Sequence, residues 1–188
     1  MSTITQSIDG EAVTTKLAMR MEDSLQAFAV RAACFIGELD VPYSEEFDGH
    51  DFGATHIIAC VGEEPVGALR VRWFRSFAMP ERLAVIPRFR GHKIGQLLIE
   101  RCRKLAESRG CNMLYAQVLP ADVKYWEKQG WRRLIAEEAS SGPKHIVAMV
   151  RAVDPSKPLP AIEMPESVVL RRESQLDASG LPLGTVSN

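Results

Sequence analysis

Cysteine is scarce in this chain. Cys34, Cys60, Cys102 and Cys111 form no Cys-x-x-Cys pair and have no spacing with histidine that would hold a metal. They read as reduced, mostly buried thiols of a cytoplasmic protein, and no metal is expected. Long hydrophobic runs are missing too: none approaches the roughly 20 residues of a membrane helix. Met1 to Gly10 is polar, without a basic flank leading into an apolar stretch, so neither export nor a membrane partner is expected. Neither sign of charge dominates, since 23 Lys+Arg against 24 Asp+Glu leave a net charge of −1 and give no reason to expect nucleic acid. No internal repeat is evident. What is present, 188 residues that are 46% hydrophobic and 25% charged, suits one domain with a real core.

The element pattern along the chain is α/β. Residues 1–13 read as a flexible tail, and 15–21 alternate enough to form a first strand at a sheet edge. Leu25, Phe28, Ala29, Ala32, Phe35 and Ile36 recur at helical spacing behind Asp23-Ser24, a candidate cap, and that helix should end before Pro42. Segments 55–61 and 66–74 are β-branched apolar runs joined by turn chemistry at Gly62-Glu63-Glu64-Pro65. A strand at 80–86 precedes a helix over 93–109, whose apolar face is Ile94, Leu97, Leu98, Cys102 and Leu105 and whose stop is Gly110. Segment 112–118 reads as a buried strand, and Pro120 opens a short helix that Gly130 ends. Strands at 131–136 and 144–152 then close a hairpin across Ser140-Ser141-Gly142-Pro143. Prolines at 155, 158, 160 and 165 argue for an extended tail over 154–188. This order predicts one domain over 14–153, a mixed sheet with helices on its faces.

The most telling stretch is Glu81-Arg82-Leu83-Ala84-Val85-Ile86-Pro87-Arg88-Phe89-Arg90-Gly91-His92-Lys93-Ile94-Gly95, a hydrophobic strand, a tight basic turn and an amphipathic helix. A helix start leaves its first N–H groups unpaired and partially positive, so an anion set against Arg90 to Gly95 is held by backbone donors. Each charge-assisted bond there contributes roughly 1.5 to 3 kcal/mol. The order builds a cradle for a pyrophosphate.

Together with the element order over 15–153, Leu83-Ala84-Val85-x-Pro87 and Arg90-Gly91-His92-Lys93-Ile94-Gly95 resemble the GNAT family of acyl-CoA-dependent N-acyltransferases. Tyr125-Trp126-Glu127-Lys128-Gln129-Gly130-Trp131 is similar to that family's second aromatic signature. Arg31 to Glu38, Val41-Pro42-Tyr43, Glu46-Phe47-Asp48-Gly49-x-Asp51 and His56 resemble its ElaA-like bacterial branch, with Leu39 where that branch commonly has glutamine. The resemblance implies the acyl-CoA N-acyltransferase fold, a mixed, mostly antiparallel sheet flanked by helices, with acetyl-CoA as cosubstrate. It implies pyrophosphate binding by Arg90, Gly91, His92, Lys93, Ile94 and Gly95, mostly through backbone. It also implies that pantetheine lies against Leu83, Ala84 and Val85, where two strands splay apart.

Lys93 stands where the family usually has glycine. Its amide still donates if the position takes ordinary helical angles, and its charge can neutralise phosphate. Trp126 stands where many members place the tyrosine that reprotonates the leaving thiolate. Either Tyr125 supplies that proton, or water does, or turnover is lost and the domain is an acyl-CoA-binding sensor or interaction module. Both rings also suit core packing.

An alkyl amine with pKa ~10.4 is nearly all protonated at neutral pH, so acyl transfer to it needs a base or a water chain. Glu81 matches the family's usual carboxylate position, where burial would raise its pKa toward neutrality; it also suits an exposed strand end. An amide of Leu83 or Ala84 would stabilise the anionic intermediate. Glu45, Glu46, Asp48 and Asp51 cluster where the family places one wall of its acceptor pocket. There they would attract a cationic small-molecule amine, or serve simply as solvated charge. His50 and His56 are alternative proton acceptors. The expected activity is acetyl transfer to a small-molecule primary amine by direct attack, and a tail reaching a second copy would make a homodimer.

Overall fold

The computed structural model describes residues 6–134 and 146–160. In chain order the strands are β1 (Gln6–Ile8), β2 (Glu11–Leu17), β3 (Thr55–Val61), β4 (Glu64–Trp73), β5 (Ala78–Val85), β6 (Met113–Val118), β7 (Arg132–Arg133) and β8 (Val147–Ala152). The helices are α1 (Met21–Arg31), α2 (Tyr43–Glu46), α3 (Ile94–Ser108) and α4 (Val123–Glu127). Among the described residues the eight strands form one sheet in the order β1-β2-β3-β4-β5-β6-β8-β7, antiparallel except between β5 and β6.

Both faces of the sheet centre are covered, which is why β3 reads as an unbroken apolar run rather than an alternating one. Ile57 and Ala59 point into the larger core, with Leu98, Ile99 and Cys102 of α3, while Ile58 and Cys60 meet Ala27, Val30 and Cys34 on the other face. Burial pushes the Cys102 thiol up to about 12, so it stays protonated. A third cluster of Phe77, Met79, Met113, Tyr115 and Val150 lies toward the far end of the sheet.

Helix α3 matches its predicted apolar face, and Gly110 ends it at φ 73°. The amino-terminal expectation needs correction. Residues 6–13 are not a loose tail, and the strand runs over Glu11–Leu17 rather than 15–21. Asp9 and Gly10 take φ 52° and 85°, the two left-handed positions of a tight hairpin turn, and Ile8 and Val13 are buried behind it. Helix α1 is rotated from the predicted face: Asp23, Ala27, Val30 and Arg31 are buried, whereas Leu25 is 57% exposed. Polar pairing sets this rotation. Asp23 lies within the first turn rather than at the cap, accepting from Lys16 Nζ at 2.7 Å and the Met19 N–H at 3.3 Å. After Arg31 the helix widens into a π-turn over Ala32–Ile36, a feature that recurs beside functional sites.

The predicted turn at 140–143 and residues 161–188 lie outside the described residues. The start of the expected tail is laid against the domain: Asn112 accepts the Asp154 N–H at 2.9 Å and donates to the Pro158 carbonyl at 3.0 Å, and Leu159 packs on the third cluster.

Candidate active site

β5 and β6 share a single register pair, Ala78 with Leu114, and then separate. Along the rest of β5 one edge is paired, with Ala84 opposite Ala68 and Val85 opposite Gly67, while the other edge faces the gap. A groove of about 540 Å³ lies here. Leu83, Ala84 and Val85 form one wall; Arg90, Gly91, Lys93, Ile94 and Gly95 form the end at the start of α3. Cys34, Phe35 and Glu38 of the π-turn region and Tyr125 of α4 complete it. Of the predicted cradle residues, His92 alone is absent from the lining; its Nδ1 lies 3.3 Å from the Phe89 carbonyl.

The turn before α3 has Gly91 at φ 84° and Lys93 at φ 56°, so the ordinary helical angles on which donation by the Lys93 amide was conditional are not adopted. That left-handed conformation costs a residue with a Cβ about 1–2 kcal/mol and glycine almost nothing. Lys93→Gly is therefore expected to raise stability by about 1 kcal/mol in urea unfolding, and a loss would show that the lysine side chain outweighs the strain. Immediately after it, the first-turn N–H groups of α3 have no intrahelical acceptor and present partial positive charge to the groove. The Arg90 guanidinium makes a two-point ion pair with Glu38, at 2.6 and 2.5 Å, and donates Nε–H to the Val85 carbonyl at 3.0 Å.

Tyr125 and Trp126 separate cleanly. Trp126 stands edge-on to Trp131, with centroids 4.8 Å apart, and packs on the main core. Tyr125 faces the groove, its hydroxyl 3.6 Å from where a Cβ on Gly95 would sit.

The predicted acceptor wall is instead an ion network, which corrects the reading of three of its four carboxylates. Glu46 is fully buried and accepts from Arg31 Nε at 2.6 Å, with Arg82 Nε 3.2 Å from its other oxygen. Asp48 accepts two bonds from Arg70, both 2.7 Å, and lies 3.3 Å from Arg82 Nη2. Asp51 lies between Arg31 at 2.5 Å and Arg70 at 3.2 Å. Only Glu45 is exposed, and its main-chain carbonyl accepts from Arg82. Against the upward push of burial, Arg70 holds Asp48, and Arg31 holds Asp51, below the usual carboxylate range. Burial outweighs Arg31 at Glu46 and pushes that carboxyl up.

Glu81 belongs to the same network rather than standing as an isolated acid. Its Oε1 accepts from Arg70 Nε at 2.9 Å and Arg72 Nε at 2.6 Å, and Oε2 from Arg72 Nη2 at 3.3 Å. Three of its lone pairs are engaged by guanidinium donors, so it is a structural partner before it is a base. Burial pushes His56 down, and its Nε2 lies 3.1 Å from the Asp51 carbonyl. The arginines of this network were missed from sequence. Arg70 interrupting the apolar run of β4 was the available signal, since a buried charge demands a partner.

Strands that separate beside a helix amino terminus, with a groove of about 540 Å³ at the gap, are the architecture of an acyl-CoA N-acyltransferase. Residues 24–131 match the model of the Acetyltransferase (GNAT) family. The chain is 30% identical over 134 residues to a Bacillus subtilis (strain 168) protein named uncharacterized N-acetyltransferase YjcF, covering 71% of this chain and 96% of that one. Its fold is similar to that of Escherichia coli ElaA, with a TM-score of 0.63 at 18% identity over 74% of this chain and 99% of the other. It is equally similar to an acyl-CoA N-acyltransferase from Pseudomonas aeruginosa, at 0.63 and 20% identity over 74% and 99%. The chain belongs to the GNAT family and is an acyl-CoA-dependent acetyltransferase. Among the described residues no helix is long and apolar enough to cross a membrane.

Proposed function

We propose that the chain transfers the acetyl group of acetyl-CoA to a primary amine of a small molecule by direct attack. One observation carries this reading: a single groove joins the free edge of β5, the first turn of α3 and the Tyr125 side chain. Acetyl-CoA supplies an acyl group already activated as a thioester. The residues at 90–95 hold the pyrophosphate through backbone donors, and Leu83, Ala84 and Val85 orient the amide-bearing arm by strand-like bonding. An N–H of Leu83 or Ala84 stabilises charge developing on the acyl oxygen. Tyr125 holds a proton on its hydroxyl and gives it to the departing sulfur.

The thiol in the groove does not compete as a nucleophile, because burial pushes Cys34 up and keeps it protonated. With Glu81 engaged by Arg70 and Arg72, the amine proton leaves through water rather than to that carboxylate. Exposed Glu45 is the carboxylate of the acidic loop left to attract a cationic acceptor.

Thiol release from acetyl-CoA, measured across a panel of small primary amines and peptides, tests the reading. Turnover with a small amine supports it; turnover with peptides alone overturns the acceptor class, and binding without turnover overturns the transfer. Gly95→Val is expected to weaken CoA binding at least tenfold, because its Cβ already meets Leu83 and the Tyr125 hydroxyl at 3.6 Å and its methyls project farther. Glu81→Gln should leave CoA binding unchanged, and equal losses would contradict the cradle.

A further inference from the structure

Between Ala68 and Arg70 the register of β4 against β5 shifts: Ala68 opposes Ala84 and Arg70 opposes Glu81, so Leu69 alone faces two residues, Arg82 and Leu83. This is a β-bulge, and its first residue, Arg82, takes φ 53°, a left-handed conformation unfavourable for a side chain as large as arginine. Successive residues of a regular strand point to opposite faces. Here Glu81 and Arg82 both reach the ion network on one face, Glu81 through Arg70 and Arg82 through Asp48. Neither Arg82 nor Leu83 has a register partner of its own in β4, and Leu83 lies in the stretch of strand that walls the groove.

Something must hold Arg82 in that conformation, and the acidic loop does. Its guanidinium donates to the Glu45 carbonyl, and lies 3.2 Å from Glu46 and 3.3 Å from Asp48. The ring of Phe35 lies 6.0 Å from it on another side. Glu46 and Asp48 are themselves fixed by Arg31 and Arg70, so the clamp has a rigid base.

We propose that Arg82, held by the Glu45–Asp48 segment, is a positioning residue for acyl transfer: it maintains the β5 bulge and so sets the backbone of Leu83 and Ala84 along the groove. The paired carboxylates of the acidic loop, Glu46 and Asp48, then act on the reaction through β5, while the Glu45 side chain stays exposed. This inference rests on the acyl-transfer reading above.

Three variants test it, each assayed for acetyl-CoA affinity by calorimetry, for turnover, and for amide hydrogen exchange at Leu83 and Ala84 without ligand. Arg82→Ala keeps the backbone strain and removes the clamp, so the bulge slides toward regular pairing. Turnover should fall about tenfold or more, with acetyl-CoA affinity within about twofold of the parent, and the two amides should change their exchange rates. Arg82→Gly removes clamp and strain together and should recover part of that turnover. Arg82→Lys, which keeps the charge without the planar fork, should fall between Ala and the parent.

Parental turnover in Arg82→Ala would overturn the proposal, as would Gly no better than Ala, which marks a direct guanidinium contact with substrate. A fall in affinity matching the fall in turnover would overturn it too. If the parent itself shows no turnover with any amine, the acyl-transfer reading fails instead, and the exchange rates alone then judge the clamp.

Discussion

Arg31→Met is expected to lower stability by about 3–5 kcal/mol, the range for removing one partner of a buried ion pair. The side chain of Arg31 is fully buried against Glu46, also fully buried, and Asp51, 10% exposed. Methionine fills much of the volume, so the loss comes from the carboxylate left without its cation rather than from a cavity. At this chain length each kcal/mol shifts the melting temperature by roughly 2–4 °C, giving a drop of about 10 °C by circular dichroism. The companion Arg31→Met/Glu46→Leu variant should recover more than half of the loss, because it removes the buried unpaired carboxylate, while Asp51 keeps Arg70 and Arg82 keeps Asp48. A drop below 1 kcal/mol for the single variant would mean that Arg82 and Arg70 neutralise the site without Arg31.

Tyr125→Phe should lower kcat about 10²-fold while leaving CoA affinity within about twofold. A positioned acid is worth ~10²- to 10⁴-fold, and the lower end applies because Tyr125 is 46% exposed and water can take over part of the proton transfer. The phenyl ring still lines the groove, so binding keeps its contact and only the chemical step loses its donor. Stopped-flow acetyl transfer with separate CoA titration distinguishes the two quantities. An unchanged kcat would remove Tyr125 as the acid and assign the proton to water.

Much of the scaffold was legible before any tertiary information. The period of α3 and its glycine stop were read correctly, as was β3, because side-chain periodicity and turn chemistry are local. The strand-turn-helix segment was legible for the same reason, since its three parts are contiguous, and eight of the nine residues expected to contact CoA line one groove. The amino-terminal hairpin was legible too and was overlooked, since Asp9-Gly10 is itself a hairpin signal.

Other features needed the fold. The choice between Tyr125 and Trp126 depended on how α4 sits over the sheet, and the strain at Lys93 on the angle at which the turn enters α3. The acidic loop was the largest misreading. Its carboxylates looked free because their partners are 15 to 36 residues away in the chain, on α1, β4 and β5. Sequence by itself determined the sheet-and-helix frame and the strand-turn-helix segment that walls the groove, which rest on periodicity and on the backbone geometry of one continuous segment. Only the tertiary structure decided which charges are neutralised, because that follows from strand register and helix rotation, which bring distant arginines and carboxylates within 3 Å of each other in a medium where neither can stay unpaired.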